Sequence, residues 1–235
     1  MTKEALFSWK SNKSLIFFGP CLNLILILAA FILYPRVYLK GPFFWVLFFF
    51  CLRRIRSFLI LICGWSSNSI YGILGAVRAR AQRISYEVCF YFILFFPLFL
   101  GYSLSSKTLP FPRALLFMPV IYIFLLVILA ETNRAPFDFA EGERELVSGF
   151  NVEFSRFLFV LLFLAEYGWM LLLSWFRAHL LFSNILISGL GAGAFAIIIL
   201  VIRGSFPRFR YDLLIKICWG GILPISIALF RVICL

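Results

Sequence analysis

The chain has 235 residues, of which 63% are hydrophobic and 14% are charged, and its formal net charge is +12. Soluble domains are about half apolar and about a quarter charged, so this composition excludes a soluble enzyme, a disordered tail and a nucleic-acid-binding module. The basic residues lie between long apolar runs, where lysine and arginine orient helices in a bilayer. The composition therefore indicates a membrane protein.

Seven apolar stretches are long enough to cross a bilayer, because a spanning helix needs about 20 mostly apolar residues. They cover residues 15–34, 43–63, 84–103, 114–130, 155–175, 180–202 and 214–235. The loops between them are mostly short, and the alternation typical of a membrane barrel is missing. The sequence therefore predicts an all-α fold, a polytopic transmembrane helical bundle of about seven spans kinked at internal prolines, as a single membrane domain over residues 1–235.

The lysine and arginine residues predict the orientation of the spans. If all seven stretches cross, the loops on the side of the N-terminus hold most of these residues, so the N-terminus faces the mitochondrial matrix or the bacterial cytoplasm. The second stretch carries Arg53, Arg54 and Arg56 near its centre. Such charges are costly in hydrocarbon unless they face protein, water or the membrane interface. Without that crossing the excess of positive charge changes sides, so the sequence favours the crossing.

The segment before the third span has the spacing of an amphipathic helix at the membrane interface. Arg78 and Arg80 lie on the flanks of its apolar stripe, and Arg83 lies opposite. The stripe consists of Ile70, Ile73, Leu74, Val77, Ala81 and Ile84. On the residues alone, this helix is either a linker on the membrane surface or a platform that docks a soluble partner.

Two carboxylates are embedded in the apolar spans. Glu166 is the twelfth residue of the fifth stretch, near the bilayer centre. A carboxylate there costs several kcal/mol unless it is paired, hydrated or protonated, so it either exchanges protons or forms a buried ion pair with an arginine of the second stretch. Glu87 lies four residues after Arg83, so an ion pair across one helical turn and a role in a proton relay both fit.

The long loop over residues 131–153 holds six of the ten acidic residues. It mixes them with arginines, aromatic residues and glycines. Interleaved aromatic and acidic residues favour a loop that folds back into a cavity at the membrane edge, where neighbouring carboxylates can pass protons. The last basic loop, 203–212, alternates arginine with aromatic residues, as a positively charged membrane anchor does.

The six cysteines are scattered singly, mostly within apolar runs, and no pair has the short spacing of a zinc or iron–sulfur site. We interpret them as small core residues. The sequence also lacks a phosphate-binding glycine loop, a histidine cluster and a nucleophile beside a base. The residues alone therefore predict a proton-handling membrane protein with no cofactor of its own and no nucleic-acid partner.

Several segments resemble subunit 1 of the NADH dehydrogenase family, a membrane subunit of respiratory complex I. The most specific is the loop that runs from Glu131-Thr-Asn-Arg-Ala-Pro-Phe-Asp through Ala-Glu-Gly-Glu to Glu-Leu-Val-Ser-Gly-Phe-Asn-Val-Glu153. The others are Gly64-Trp-Ser-Ser-Asn-Ser with Gly75-Ala-Val-Arg78 and Ile84-Ser-Tyr-Glu87, then Ala165-Glu-Tyr167, then Pro207-Arg-Phe-Arg-Tyr-Asp212. They occur in the family's order along residues 1–235.

The resemblance implies a subunit of the proton-pumping NADH:ubiquinone oxidoreductase of the respiratory chain. Such a subunit forms part of the ubiquinone chamber and of an acidic path that couples quinone reduction to proton translocation. Ubiquinone is then the substrate, and the flavin and iron–sulfur clusters belong to partner subunits of the soluble arm. Antiporter-like membrane subunits are further partners. The expected location is the mitochondrial inner membrane, with several spans and the N-terminus toward the matrix.

The resemblance also implies roles for residues at matching positions. The quinone chamber is expected to use Arg78, Arg134, Phe137 and Asp138. The proton-coupling acids are expected to be Glu87, Glu131, Glu141, Glu143, Glu145, Glu153 and Glu166. The loop that faces the soluble arm is expected to include Arg208, Arg210 and Asp212. No residue of this chain is expected to be catalytic by itself or to bind a metal.

The chain departs from the family pattern in three places. It begins after the family's first helix and the loop that follows, so a second polypeptide is expected to supply that helix. Arg53, Arg54 and Arg56 replace a stretch that is apolar or mildly polar in the family, and are expected to meet other subunits or lipid phosphates. Arg80 and Arg83 replace small or neutral residues, and the pairing of Glu87 is expected to be firmer as a result.

Two other functions stay open: the related subunit of a membrane-bound hydrogenase-type ion pump, and a cation carrier that acts alone.

Overall fold

The computed structural model describes residues 12–40, 42–100, 118–132, 136–137, 154, 156–181, 185–207, 209 and 211–234. Its helices are α1 (Lys13–Lys40), α2 (Pro42–Ser66), α3 (Ile70–Leu100), α4 (Met118–Glu131), α5 (Arg156–Leu181), α6 (Ile185–Ser205), α7 (Tyr211–Ile217) and α8 (Leu223–Cys234). A π-helical segment, Cys218–Ile222, joins α7 to α8 without a break. Every regular element in the described ranges is helical, which confirms the predicted all-α fold.

Within the described residues, four helices are long and apolar enough to cross a membrane. They are Lys13–Ile32, Phe157–Ala178, Ser188–Ser205 and Asp212–Leu229. These four coincide with the first, fifth, sixth and seventh predicted spans, so the prediction of a polytopic helical membrane protein is confirmed. The other three predicted spans lie on α2, α3 and α4, which are also helical. Their crossings and the orientation of the chain stay predictions.

The predicted amphipathic segment and the predicted third span form a single helix, α3, of 31 residues. The apolar stripe is its exposed face, because Ile70, Leu74 and Val77 are 76%, 47% and 51% exposed. The opposite face is packed, and Ala79 and Arg83 are buried there. The division of this helix into an apolar stripe and an opposite face with Arg83 therefore follows the predicted pattern.

The chain divides into two compact units. The first takes in residues 1–40, 44–81 and 138–169, and thus α1, most of α2, the start of α3 and the first half of α5. The second takes in residues 41–43, 82–137 and 170–235, and thus the remainder of α3 and α5 with α4, α6, α7 and α8. That residues 1–235 form one membrane domain stays a prediction.

In the first unit, α1, α2, α3 and α5 enclose apolar side chains. One core cluster consists of Ile16, Ile60, Cys63, Ala76, Ala79, Phe154, Leu158 and Leu162. Glycines let the backbones approach at the edges of this cluster. A Cβ atom on Gly64 would overlap Ala76 and lie 2.8 Å from the Gly72 carbonyl oxygen, and one on Gly168 would lie 2.8 Å from Ile27 Cδ1. The close crossing of α2 with α3 therefore requires glycine, whereas at Gly168 the contact is with the movable end of the Ile27 side chain.

The turn between α2 and α3 is held by serine hydroxyls. Ser67 Oγ donates to the carbonyl oxygen of Gly64 at 2.7 Å and so satisfies a carbonyl at the end of α2. Asn68 has a φ of 48°, in the left-handed region that commonly ends helices. Ser69 Oγ accepts a hydrogen bond from the Gly72 backbone N–H at 3.2 Å and caps the start of α3. The chain thus reverses within a few residues, which places the start of α3 against the end of α2.

Replacing Gly64 by alanine is expected to destabilise the protein, because the new methyl group has no room beside Ala76 and Gly72. Overpacking of this kind costs about 1–3 kcal/mol. Gly189→Ala in α6 is the matched control, since nothing lies within 4 Å of a Cβ at Gly189. Thermal unfolding of the detergent-solubilised protein should give a lower midpoint for Gly64→Ala than for Gly189→Ala. Equal midpoints would contradict the close crossing.

Candidate functional site

Six of the residues predicted to form a site lie in the described ranges. They are Arg78, Glu87, Glu131, Phe137, Glu166 and Asp212. The others lie outside the described residues: Arg134, Asp138, Glu141, Glu143, Glu145, Glu153, Arg208 and Arg210. The geometry of the site is therefore built from the first group and from the side chains that contact it.

One face of α2 carries buried aromatic, charged and apolar side chains in the first unit. Intervals of three or four residues place them on a single face of the helix. In chain order they are Phe49, Arg53, Arg56, Ile60 and Cys63, and all five are buried. Arg54, one residue away from this face, is exposed. The helical period therefore divides the three arginines of the second predicted span into two buried and one exposed.

A stripe of α5 packs against this face of α2. The stripe consists of Leu158, Leu162, Glu166 and Trp169, again three or four residues apart. Leu158 and Leu162 share a core cluster with the late α2 residues Ile60 and Cys63. Trp169, at the other end of the stripe, lies 6.3 Å from the early α2 residue Phe49 between ring centroids. The two helices therefore run antiparallel. We call the two facing stripes the α2–α5 seam.

Charged groups are buried in the middle of the α2–α5 seam. The guanidinium carbon of Arg56 lies 5.0 Å from the centroid of the Trp169 ring, and that of Arg53 lies 5.9 Å from the centroid of the Phe49 ring. Glu166 is one helical turn before Trp169, is 8% exposed and lies within electrostatic range of Cys63. Of the arginines predicted as its partners, the structure thus brings Arg53 and Arg56 to the seam that holds Glu166.

A second cluster, in the second unit, surrounds Phe137. Gln82 Nε2 on α3 donates to the carbonyl oxygen of Ala130, near the end of α4, at 2.8 Å. The same amide nitrogen donates to the carbonyl oxygen of Phe137 at 3.1 Å. At the end of α4, Thr132 Oγ1 donates to the Leu129 carbonyl oxygen at 3.1 Å. One buried glutamine side chain therefore holds the end of α4 and the start of the acidic loop together.

Aromatic rings complete this cluster, which we call the Phe137 junction. The Phe137 ring stacks on Phe209 at 5.8 Å between centroids and lies 6.4 Å from the ring of Tyr86. The Phe209 backbone N–H donates to the Pro136 carbonyl oxygen at 3.0 Å. The Tyr86 hydroxyl donates to the carbonyl oxygen of Leu214 in α7 at 3.3 Å. Phe137 is buried, so it acts here as the centre of a packed junction that joins α3, α4 and α7 with two loops.

Glu87 has a hydrogen-bond donor within its own helix. The Tyr91 hydroxyl, one turn further along α3, donates to a Glu87 carboxylate oxygen. Glu87 is 5% exposed, and Glu131 at the end of α4 is 5% exposed as well. Helical spacing predicts Arg83 as a partner of Glu87, and the same spacing indicates Tyr91, four residues on, which the sequence analysis does not name.

Arg177 lies just after the predicted fifth span, 155–175, but α5 continues to Leu181 and Arg177 is buried within it. Its Nη2 donates to the Ile121 carbonyl oxygen at 2.9 Å, and its guanidinium carbon lies 4.0 Å from the centroid of the Phe195 ring. A backbone carbonyl oxygen and an aromatic ring face stabilise the Arg177 cation among the packed helices. The helix α5 can therefore continue past Arg177.

The remaining described site residues lie at less enclosed positions. Arg78 is half-buried in the first unit, and Asp212 is exposed in the first turn of α7. Three further residues of the two clusters, Gln82, Trp169 and Phe209, are not predicted as site residues from the sequence. Trp169 follows Glu166 by three residues, and Gln82 lies on the face of α3 opposite the apolar stripe, so helical spacing could have indicated both. In the described ranges, no group of three or more His, Cys, Asp and Glu side chains is placed to hold a metal ion.

Comparison with known proteins bears on the whole chain. The sequence profile of a family described as NADH dehydrogenase matches residues 1–234. NADH-ubiquinone oxidoreductase chain 1 of Pecten maximus is 39% identical over 97% of this chain and 71% of its own length. The protein of that name from Mytilus edulis is 39% identical, over 97% and 77%. That from Branchiostoma lanceolatum is 41% identical, over 97% and 75%. The family resemblance seen in the loop 131–153 is therefore confirmed.

Replacing Gln82 by methionine is expected to loosen the Phe137 junction, because the carbonyl oxygens of Ala130 and Phe137 lose their shared donor. An unsatisfied buried polar group costs about 1–3 kcal/mol. The backbone amide of Phe209, bonded to Pro136, should then exchange its hydrogen faster. Ser226→Ala serves as a control, since the Ser226 hydroxyl bonds only one turn back within α8 at 2.8 Å. Unchanged exchange at Phe209 in Gln82→Met would show that the glutamine does not hold the junction.

Proposed function

The chain belongs to the NADH dehydrogenase family, and from that premise we propose that it forms part of the ubiquinone chamber of a proton-translocating NADH:ubiquinone oxidoreductase. It also forms part of the acidic path that couples quinone reduction to proton movement. The flavin and iron–sulfur centres belong to the soluble arm of the complex, and antiporter-like subunits lie beside this chain in the membrane. The location is the mitochondrial inner membrane, with the N-terminus toward the matrix.

The observation that carries the coupling role is the burial of three carboxylates in apolar helices. Glu87, Glu131 and Glu166 are all 8% exposed or less. Ionisable side chains within membrane helices are rare and costly, and those that occur commonly mark ion or proton pathways. Glu87 and Glu131 lie in the second unit and Glu166 in the first. Each unit, taken by itself, therefore contains at least one buried acid.

Glu166 has its proposed counter-ion in the α2–α5 seam. Arg56 is buried over Trp169, which is one turn from Glu166 on the same stripe of α5. Arginine keeps its proton under ordinary conditions, so it supplies a fixed positive charge. A fixed cation beside a buried carboxylate favours the charged form, which the apolar surroundings oppose. Arg56 is therefore the proposed counter-ion that holds the Glu166 carboxylate in the α2–α5 seam.

The Phe137 junction is the proposed support of the quinone chamber. It fixes the first residues of the acidic loop, whose next members include Asp138 of the proposed chamber. Arg134, also in that loop, and Arg78 on α3 are the proposed basic residues of the same chamber. Phe209, which lies between the arginines of the loop proposed to face the soluble arm, is bonded to Pro136. The junction therefore links the loop that is proposed to meet quinone with the loop that is proposed to meet the soluble arm.

The full proposed assignment includes residues outside the described ranges. The proposed coupling acids are the three buried carboxylates, Glu87, Glu131 and Glu166, together with Glu141, Glu143, Glu145 and Glu153. The proposed loop toward the soluble arm consists of Arg208, Arg210 and Asp212.

Glu166→Gln is expected to lower proton-coupled quinone reduction several-fold while the complex still assembles, because the amide keeps the shape of the side chain but cannot carry a proton. The measurements are NADH:ubiquinone reductase activity and proton uptake in vesicles that contain the whole complex. Electron transfer from NADH to an artificial acceptor at the soluble arm should keep its rate. Wild-type quinone reduction and pumping in this variant would reject the coupling role of Glu166.

A double-mutant cycle tests whether Arg56 is the counter-ion of Glu166. Arg56→Gln alone leaves the carboxylate without its proposed partner, whereas Arg56→Gln with Glu166→Gln removes both charges. The double variant should lose less thermal stability than the two single variants summed, by about 0.5–3 kcal/mol, as found for groups in contact. Arg54→Gln is the matched control because Arg54 is exposed on the same helix. Simple additivity for Arg56 would contradict the pair.

A further inference from the structure

Two cysteine side chains that are far apart in the sequence touch in the second unit. Cys89 Sγ on α3 and Cys218 Sγ, in the first residue of the π-helical segment, lie 3.7 Å apart. The two positions are 129 residues apart along the chain. Both side chains are fully buried. The expectation that the cysteines serve only as scattered core residues is thus incomplete, because two of them form a pair.

Neighbouring hydrogen bonds keep the two thiols opposite each other. One turn before Cys89, the Tyr86 hydroxyl donates to the Leu214 carbonyl oxygen at 3.3 Å, and Leu214 is itself one turn before Cys218. Next to Cys218, Trp219 Nε1 donates to Ser85 Oγ at 3.4 Å. We call α7, the π-helical segment and α8 together the C-terminal helical run. These two hydrogen bonds therefore fix the register of α3 against the C-terminal helical run at the level of the thiols.

The segment that carries Cys218 can also adjust. A disulfide needs the two sulfur atoms about 2.05 Å apart, so the thiols would have to approach by about 1.7 Å. Cys218 begins a π-helical turn, a wider and less regular form of helix often found at functional positions. Gly220 and Gly221 in that turn have nothing within 4 Å of a Cβ atom, so the turn is loosely packed on their side.

We propose that Cys89 and Cys218 form a reversible disulfide site that a small or membrane-soluble peroxide oxidises. One sulfur attacks the peroxide O–O bond, which breaks, and a sulfenic acid forms as water or an alcohol leaves. The second sulfur displaces water from the sulfenic acid and closes the disulfide. In sum, two thiols give up two electrons and two protons, and the peroxide becomes two waters or a water and an alcohol. The bond ties α3 to the C-terminal helical run.

Burial determines which oxidant can react. Thiols enclosed by protein are shielded from large or charged reagents, so the proposed oxidants are small or membrane-soluble peroxides. The other described cysteines provide internal references, because Cys51 is exposed and Cys63 is buried in the first unit. The proposal rests on the geometry of the thiols and is independent of the quinone and proton roles proposed above.

The test is peroxide treatment of membranes that contain the intact complex. Membranes are exposed to hydrogen peroxide or tert-butyl hydroperoxide, the remaining thiols are blocked with N-ethylmaleimide during unfolding, and the digested chain is analysed by mass spectrometry. We expect loss of most of the alkylated Cys89 and Cys218 and the appearance of one linked peptide pair that contains both. Dithiothreitol added before alkylation should restore both alkylated peptides, and Cys63 should stay alkylated throughout.

Cys89→Ser and Cys218→Ser are the matched variants, since either removes the pair with little change in size. In both, the remaining cysteine of the pair should be recovered as an alkylated thiol and no linked peptide should appear. The proposal is overturned if both wild-type cysteines stay alkylated at a peroxide dose that oxidises Cys51. The proposal is also overturned if disulfides from Cys89 or Cys218 to other cysteines are as frequent as the disulfide between Cys89 and Cys218.

Discussion

Among the described residues, the buried arginines Arg53, Arg56 and Arg177 each lie over an aromatic ring, so both units accommodate buried cations in the same way. Arg56 lies over Trp169 in the first unit, and Arg177 lies over Phe195 in the second. Lipid cannot solvate a guanidinium group, so a buried cation needs favourable contacts with other groups of the protein. The face of an aromatic ring provides it without adding a charge or a polar group. The helices can therefore hold arginine inside and still present apolar side chains outward.

The same constraint explains why α2 and α5 pack as they do. Their seam has to bury Glu166 together with two cations, and it is closed at its ends by apolar and aromatic residues such as Leu158 and Trp169. Gly168, beside Trp169, leaves room for the Ile27 side chain of α1. The three charged side chains Arg53, Arg56 and Glu166 are buried in the seam as a result of this packing. A carboxylate in such surroundings responds strongly to any nearby charge, which is the property that the proposed coupling role needs.

The Phe137 junction meets a different demand, because an irregular segment has to be held between helices. Backbone groups there have no helical partners, and an unsatisfied buried carbonyl is costly. The Gln82 amide and the Phe209 backbone N–H supply donors to this segment. The ring of Phe209 stacks on the buried ring of Phe137 at the same place. The junction therefore holds Pro136 and Phe137 between the helices of the second unit.

Local patterns in the sequence were sufficient for the helices, the membrane class, the buried acids and the family. These depend on the apolar runs, on helical spacing and on the residues of the loop 131–153. The predicted amphipathic segment and the predicted third span are one continuous helix, α3, because no glycine or proline interrupts residues 76–96. Tertiary packing alone decided that Arg53 and Arg56 turn inward while Arg54 does not, and that Cys89 meets Cys218. Spacing along a helix shows which residues share a face, but only the neighbouring helix determines which face is buried and what it contacts.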